Sequence, residues 1–176
     1  MLDIPNLPAP GFDQPLELLR ACHMKMLMNC RTLEKLAGHI HRENIDQTAR
    51  DTAATIRRYF NEAAPLHHQD EEQDLFPLLL TISAGLKGVI CQLNQEHTTL
   101  EESWAVLDEL LAKPESINDS EAFTELCGAF AQAYRDHIAV EEENILLPIE
   151  GQLTEPQLER LGRAMAARRG AQTGST

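Results

Sequence analysis

Two stretches of this sequence read almost alike: LHHQDEEQDLFPLL from Leu66 and DHIAVEEENILLPI from Asp136. At a shift of 70 positions His67 meets His137, Glu71 meets Glu141 and Glu72 meets Glu142, while His23 and His97 stand 74 apart. Each copy thus offers one histidine, then a second histidine with a glutamate four residues on. Residues four apart share a helix face, so Glu71 sits beside His67 and Glu141 beside His137. A neutral imidazole nitrogen suits a transition metal, and a carboxylate can bridge two of them. Four imidazoles and two carboxylates divide into two histidines per ion with Glu71 and Glu141 shared, which predicts a dinuclear centre.

Such a centre needs helices that bring these residues to one height. Between Gln14 and about Glu150 the apolar residues recur at steps of three and four, with no period-2 strand pattern, so an all-α fold is expected. A first helix is predicted from an Asp13 cap, with Pro15 in its first turn, to about His41. Its buried seam is Leu16, Leu19, Met26, Cys30, Leu33, Ala37 and Ile40, with His23 at the vacant step. A second runs from about Ile45 to Leu80, with Ile56, Phe60, Ala63 and Leu78 on one stripe and a kink near residues 61–65 where Pro65 removes a hydrogen bond. A third, from Leu86 to Ala112, carries His97 in a leucine seam. A fourth, from Asp119 to Pro148, leads through Phe123, Phe130 and Ala133 to His137. Thr154 and Gln157 form a capping box for a short fifth helix to about Arg168, whose polar composition suggests a surface strut.

Helix arithmetic allows the histidines to meet. His23 lies 18 residues before His41 and His67 lies 22 after Ile45, placing them about 27 and 33 Å from the turn between them. His97 and His137 agree as well. The chain reads as two helical hairpins making one up-down four-helix bundle over residues 14–150, preceded by an extension (1–13) and followed by the accessory helix and a tail (151–176).

Other matches to the four-residue spacing are set aside by phase. The stripe through His68 contains Arg57, Asn61 and Glu72, so His68 is expected to face solvent or to stand behind the ligands without a direct metal bond. His39 lies about 160° around its helix from His23, which makes His39 and Glu43 a surface pair. Glu101, one turn after His97, is expected at the same core level, as a ligand or lining the metal pocket. A metal-free core with this much imidazole and carboxylate would strand buried charge.

Composition narrows the partners. Fifteen Lys and Arg against 28 Asp and Glu give a formal charge of −13, which disfavours nucleic acid and anionic lipid. No apolar run approaches a membrane span. The segment MLDIPNLPAPGFDQP lacks the basic and apolar regions of a signal peptide, which points to the cytoplasm. Cys22, Cys30, Cys91 and Cys127 form no C-x-x-C pair and read as small core residues.

The order and spacing of these residues are similar to those of the hemerythrin-like HHE cation-binding domains. Those have a histidine on the first helix, HHxxEExxLFP on the second (His67 to Pro77 here), a histidine on the third, and HxxxEE before a leucine-proline stretch on the fourth (His137 to Pro148). The resemblance implies a non-haem diiron centre: two Fe ions held by His23, His67, Glu71, His97, His137 and Glu141, bridged by the two glutamates and a solvent-derived oxygen, with Glu101 beside them. It implies a protein that binds or senses oxygen, nitric oxide or peroxide in oxidative or nitrosative stress or iron homeostasis. The alternatives are a diiron enzyme that consumes peroxide or donates iron for cluster repair, and an interaction module with a structural metal.

Two departures point away from reversible oxygen transport. Oxygen-carrying hemerythrins have a second histidine where this chain has Glu101, and a terminal aspartate where it has Glu141. The pattern is closer to the branch with bacterial iron-centre repair proteins and the animal F-box iron sensor. The ferritin motif E-x-x-H is absent at every histidine.

Overall fold

The computed structural model describes residues 10–43 and 45–171, and among these every regular element is helical. Most of the expected N-terminal extension and the last five residues of the tail lie outside the described residues. Helix α1 (Pro15–Arg42) starts from Gln14, not from the predicted Asp13 cap, and Gln14 makes no side-chain capping bond. Proline at the first helical position, pre-set in φ, takes over part of that role.

The second helical rod is built from α2 (Gln47–Arg58), α3 (Ala64–Asp70) and α4 (Phe76–Ile82), joined by π turns at Tyr59–Ala63 and Glu71–Leu75. Asp46 caps its start by accepting a hydrogen bond from the Ala49 amide at 2.8 Å. Helix α5 (Lys87–Ala112) is continuous. Helix α6 (Ser120–Glu141), capped by Asp119, passes through a third π turn, Glu142–Leu146, into the short α7 (Leu147–Ile149). Helix α8 (Glu155–Arg168) begins with the Thr154–Gln157 capping box expected for it.

All three π turns end two residues before a proline, namely Pro65, Pro77 and Pro148. A proline ring crowds the carbonyl four residues back, and those carbonyls (Asn61, Gln73, Asn144) all lie inside the π turns. Widening the helix by one residue there relieves the clash without ending the rod. The slip is visible in the burial pattern. The expected stripe Ile56, Phe60, Ala63 becomes Ile56, Phe60, Ala64, with Ala63 exposed. In α6, Tyr134 is buried and the expected Ala133 exposed, but there the helix is regular, its π turn beginning only at Glu142, so that difference is one of helix phase alone.

Helix α1 packs on α2 and α6, and α5 packs on the same two, so the long rods enclose a common interior. Two apolar clusters fill it. One runs from Met26 through Phe60, Trp104 and Phe130, and the other from Leu19 through Phe76, Leu93 and Ile145. Between them lies a belt of buried polar residues.

Helix α8 is not a surface strut. It buries Leu161, Met165 and Ala166. Its end donates from Arg168 and Arg169 to the fully buried Asp70, with Arg169 Nη2 at 2.6 Å. Gly162 permits this approach, since a Cβ there would meet the Phe12 carbonyl oxygen at 1.8 Å. Among the cysteines only Cys30 and Cys127 are core residues, and burial pushes both thiols up to about 12. Cys22 is half-buried and Cys91 exposed.

Candidate metal centre

The polar belt contains two groups whose potential ligand atoms lie within 4.8 Å of one another: His23, His67, Glu71 and Glu141, and His68, His97 and His137. Helix α1 supplies His23, α3 supplies His67 and His68, α5 supplies His97 and α6 supplies His137 and Glu141. Glu71 opens the π turn after α3, and the turn after α6 begins one residue past Glu141.

The internal repeat becomes a near two-fold arrangement in space. His23 Nε2 faces His67 Nε2 at 3.1 Å, and His97 Nε2 faces His137 Nε2 at 3.1 Å. Behind them, His23 Nδ1 lies 2.6 Å from Glu142 and His97 Nδ1 lies 2.6 Å from Glu72. Each carboxylate of an adjacent Glu-Glu pair therefore has its own task. The first points inward, and the second orients a histidine on a neighbouring helix.

The two-fold relation fails in two places. His137 Nδ1 has Glu96 at 2.8 Å, but the residue equivalent to Glu96 is Cys22, and His67 Nδ1 is buried without a hydrogen-bond partner. Burial would raise the Cys22 thiol, yet His67 beside it brings the thiol below its ordinary range. The second break is His68, whose counterpart is Ile138. One half thus holds three imidazoles and the other two.

These contacts fix where the protons sit. An ionised carboxylate only accepts, so the Nδ1 atoms of His23, His97 and His137 donate to Glu142, Glu72 and Glu96. In the neutral rings the Nε2 lone pairs then point inward, and those of His97 and His137 face each other across 3.1 Å. Opposed lone pairs call for a cation between or beside them. Glu71 brings Oε1 to 2.7 Å from His67 Nε2 and Oε2 to 3.3 Å from His97 Nε2, so it spans the two halves. Glu141 Oε2 is 3.0 Å from His23 Nε2 and 3.8 Å from His137 Nε2. No hydrogen bond is made to any of these four carboxylate oxygens, all of them buried. Lone pairs and orphaned anionic oxygens converging on one point fit divalent or trivalent cations, with two spanning carboxylates suited to a pair.

The titration of the metal-free site shows the same demand. Burial would lower His67, but Glu71 overrides it and lifts the ring to about 9. His23 is raised against burial by Glu141, Glu142 and Glu71. His97 rises through Glu71 in the same way. His137 falls to about 4 through burial and the charge on His97. Burial and Glu71 together lift Glu141 to about 7.

His23, His67, Glu71, His97, His137 and Glu141 thus meet in one belt. One placement decides between two that the sequence left open, and one differs from expectation. His68 does not face solvent: it is 3% exposed and its ring lies in the second group. Glu101 stays outside both groups, its side chain 63% exposed and its Oε1 3.9 Å from His68 Nδ1. Phase explains it, since the inward arc on α5 at this height is taken by His97 and Leu100. Sequence reasoning missed the orienting roles of Glu72, Glu96 and Glu142. The doubled glutamate in both repeats was the available signal for two of them.

The family model of the hemerythrin HHE cation binding domain matches residues 14–149. A protein of Haemophilus influenzae, described only as an uncharacterized protein, is 35% identical over 158 residues, covering 90% of this chain and 91% of its own length.

Proposed function

Because this chain belongs to the hemerythrin HHE cation-binding domain family, we propose that it is a non-haem diiron protein, an up-down four-helix bundle that binds or senses oxygen, nitric oxide or peroxide. The observation that carries the reading is the set of unpartnered Glu71 and Glu141 oxygens between two pairs of facing Nε2 atoms. His23 and His67 would hold one ion and His68, His97 and His137 the other, with Glu71 and Glu141 shared. Iron held there supplies redox chemistry and exchangeable positions for a small ligand.

The chain's own residues do the rest. Glu72, Glu96 and Glu142 keep Nδ1 protonated and Nε2 free, and make the imidazoles stronger donors. The apolar clusters above and below exclude bulk water from the belt. Five neutral imidazoles and the two central carboxylates would bring two negative charges to the cations held there. A ligand-responsive role in stress or iron homeostasis, in the cytoplasm, is part of the same proposal.

The direct test is metal analysis and absorption spectroscopy of protein purified without oxygen and then exposed to air. Two irons per chain and an absorption change on exposure are expected. Stoichiometric zinc, or no metal, would overturn the reading.

A further inference from the structure

A groove of about 490 Å³ runs along the seam between α5 and α6. Its floor is the buried Leu107 and Phe130, and Val106, Leu126, Ala129 and Ala133 wall it, all of them exposed. Acids edge it on both sides. Glu102 and Glu109 stand one turn before and after Val106, about 40° and 60° further round α5, and Glu125 and Asp136 stand likewise beside Ala129 and Ala133 on α6. Helices α5 and α6 together hold nine Asp and Glu against two Lys and Arg, and one of those two, Arg135, is paired with Glu34 at 2.7 Å.

The first hairpin has the same groove, and there it is polar. The seam between α1 and the second rod is lined by Asn29, Thr55, Arg58, Tyr59, Glu62 and Ala63. At the shifts of 74 and 70 positions that relate the two halves, Asn29 meets Ser103, Tyr59 meets Ala129 and Ala63 meets Ala133, each a lining residue of the second groove. At the same shifts Thr32 gives way to Val106 and Lys35 to Glu109. Only the second seam is an apolar strip between acidic edges, and such a strip on the surface marks a contact.

The chain itself carries a matching face. Met24 and Met28, each 61% exposed, form an apolar ridge one turn long on the outside of α1. Lys25 and Arg31 stand three residues before and after Met28, about 60° to either side of it, and Lys35 lies one turn beyond Arg31. Among the described residues none of these three cations has an ion-pair partner, nor has Glu102, Glu109 or Glu125. Helix α1 holds five Lys and Arg against two Glu, the reverse of α5 and α6, in a chain that is acidic as a whole. Lys25 and Arg31 are separated by a rise of about 9 Å and Glu102 and Glu109 by about 10.5 Å, so flanks and edges match in spacing.

We propose that the chain self-associates, the Met24–Met28 ridge of one copy lying in the α5–α6 groove of another with its cations against the acidic edges. This is the mode of an amphipathic helix in a groove, with two flexible methionines one turn apart as anchors. Ridge and groove are different surfaces, so each copy offers both, and contact made in both directions closes a dimer. The contact uses no residue of the metal belt and stands apart from the diiron reading.

Light scattering after size-exclusion chromatography, over a range of protein and salt concentrations, reads the association of the full chain. The proteins are wild type, an edge variant (Glu102→Lys with Glu125→Lys) and a ridge variant (Lys25→Glu with Arg31→Glu). All four changes are at exposed side chains, and helicity and unfolding temperature are measured first. The wild type should exceed the mass of one chain as its concentration rises, and less so at high salt. Each variant alone should associate about tenfold more weakly, because like charges then meet. An equal mixture of the two should regain the wild-type affinity, since the ridge of each then faces a groove of opposite charge. A wild type that stays monomeric throughout would overturn the proposal and leave the groove to a basic helix of another protein. Folded variants that associate as the wild type does, or a mixture no better than its components, would overturn it by placing the contact on another face.

Discussion

The rings of His68 and His97 lie parallel, 4.0 Å apart with 10° between their planes. Two imidazolium rings would not stack so in a buried site. Burial, and then the charge on His97, hold His68 well below the usual histidine range. His68 is therefore a neutral imidazole near pH 7, the form that binds a metal.

His68→Ala should lower metal content as His137→Ala does, whereas His39→Ala should leave it at the wild-type level. Elemental analysis of the purified variants decides this. Full metal content in His68→Ala would return His68 to a packing role.

The carboxylates behind the ring of histidines should matter nearly as much as the ligands. Glu72→Gln or Glu142→Gln keeps the shape but weakens the acceptor at Nδ1, and metal affinity should fall roughly 10- to 100-fold. Competition against a chelator of known affinity measures it, and unchanged affinity in both variants would refute the role.

Cys22 stands where the two-fold relation would put a partner to Glu96, against the unpartnered His67 Nδ1. Cys22→Asp should strengthen retention of the metal that His23 and His67 would hold, and Cys22→Ala should not. Stepwise metal release followed by absorbance distinguishes them. Equal release in Cys22→Asp and Cys22→Ala would show that the thiol position does not tune His67.

The pH dependence has a definite sign. His67 is raised from 6.5 to about 9 in the metal-free fold, against burial, by Glu71. Its contribution is complete below pH 6.5 and is lost as pH rises through 9, on the order of 3 kcal/mol at most. Metal competes with that proton, so its binding strengthens over the same interval. The gap between the unfolding temperatures of loaded and metal-free protein should therefore widen from pH 6.5 to 9. A gap that narrows would contradict the assignment.

Asp70 is fully buried beneath Arg168 and Arg169, one residue before Glu71. Asp70→Asn should destabilise the fold by roughly 2–4 kcal/mol, because two partly buried guanidiniums lose their anion. Hydrogen exchange should rise first in α8. Protection in α8 equal to wild type would mean that its apolar face alone holds it.

Much of this arrangement was legible in the residue order. The seam from Leu16 to Ile40, the breaks at Ser83 and Lys113 and the Thr154 cap all follow local rules of spacing and capping. His68 was not legible, because counting phase from Arg57 and Asn61 assumes an unbroken α-helix. The π turn at Tyr59–Ala63 inserts one residue, rotating everything beyond it by on the order of 100°. Pro65 announces a disturbance there but not whether the helix bends or widens. Helix α8 was misjudged because its mean polarity hides a narrow face of Leu161 and Met165, and what covers that face depends on Gly162 meeting Phe12 from far along the chain.

The matched distances from His23 to Glu142 and from His97 to Glu72 are what a symmetry axis would produce. A single hairpin of half this length, paired with an identical copy, would satisfy the same contacts. Two identical copies could not, however, differ from each other. A third imidazole on one side and a thiol on the other are open only to halves joined in one polypeptide, free to diverge. Covalent fusion thus lets one gene product carry two chemically unequal coordination positions.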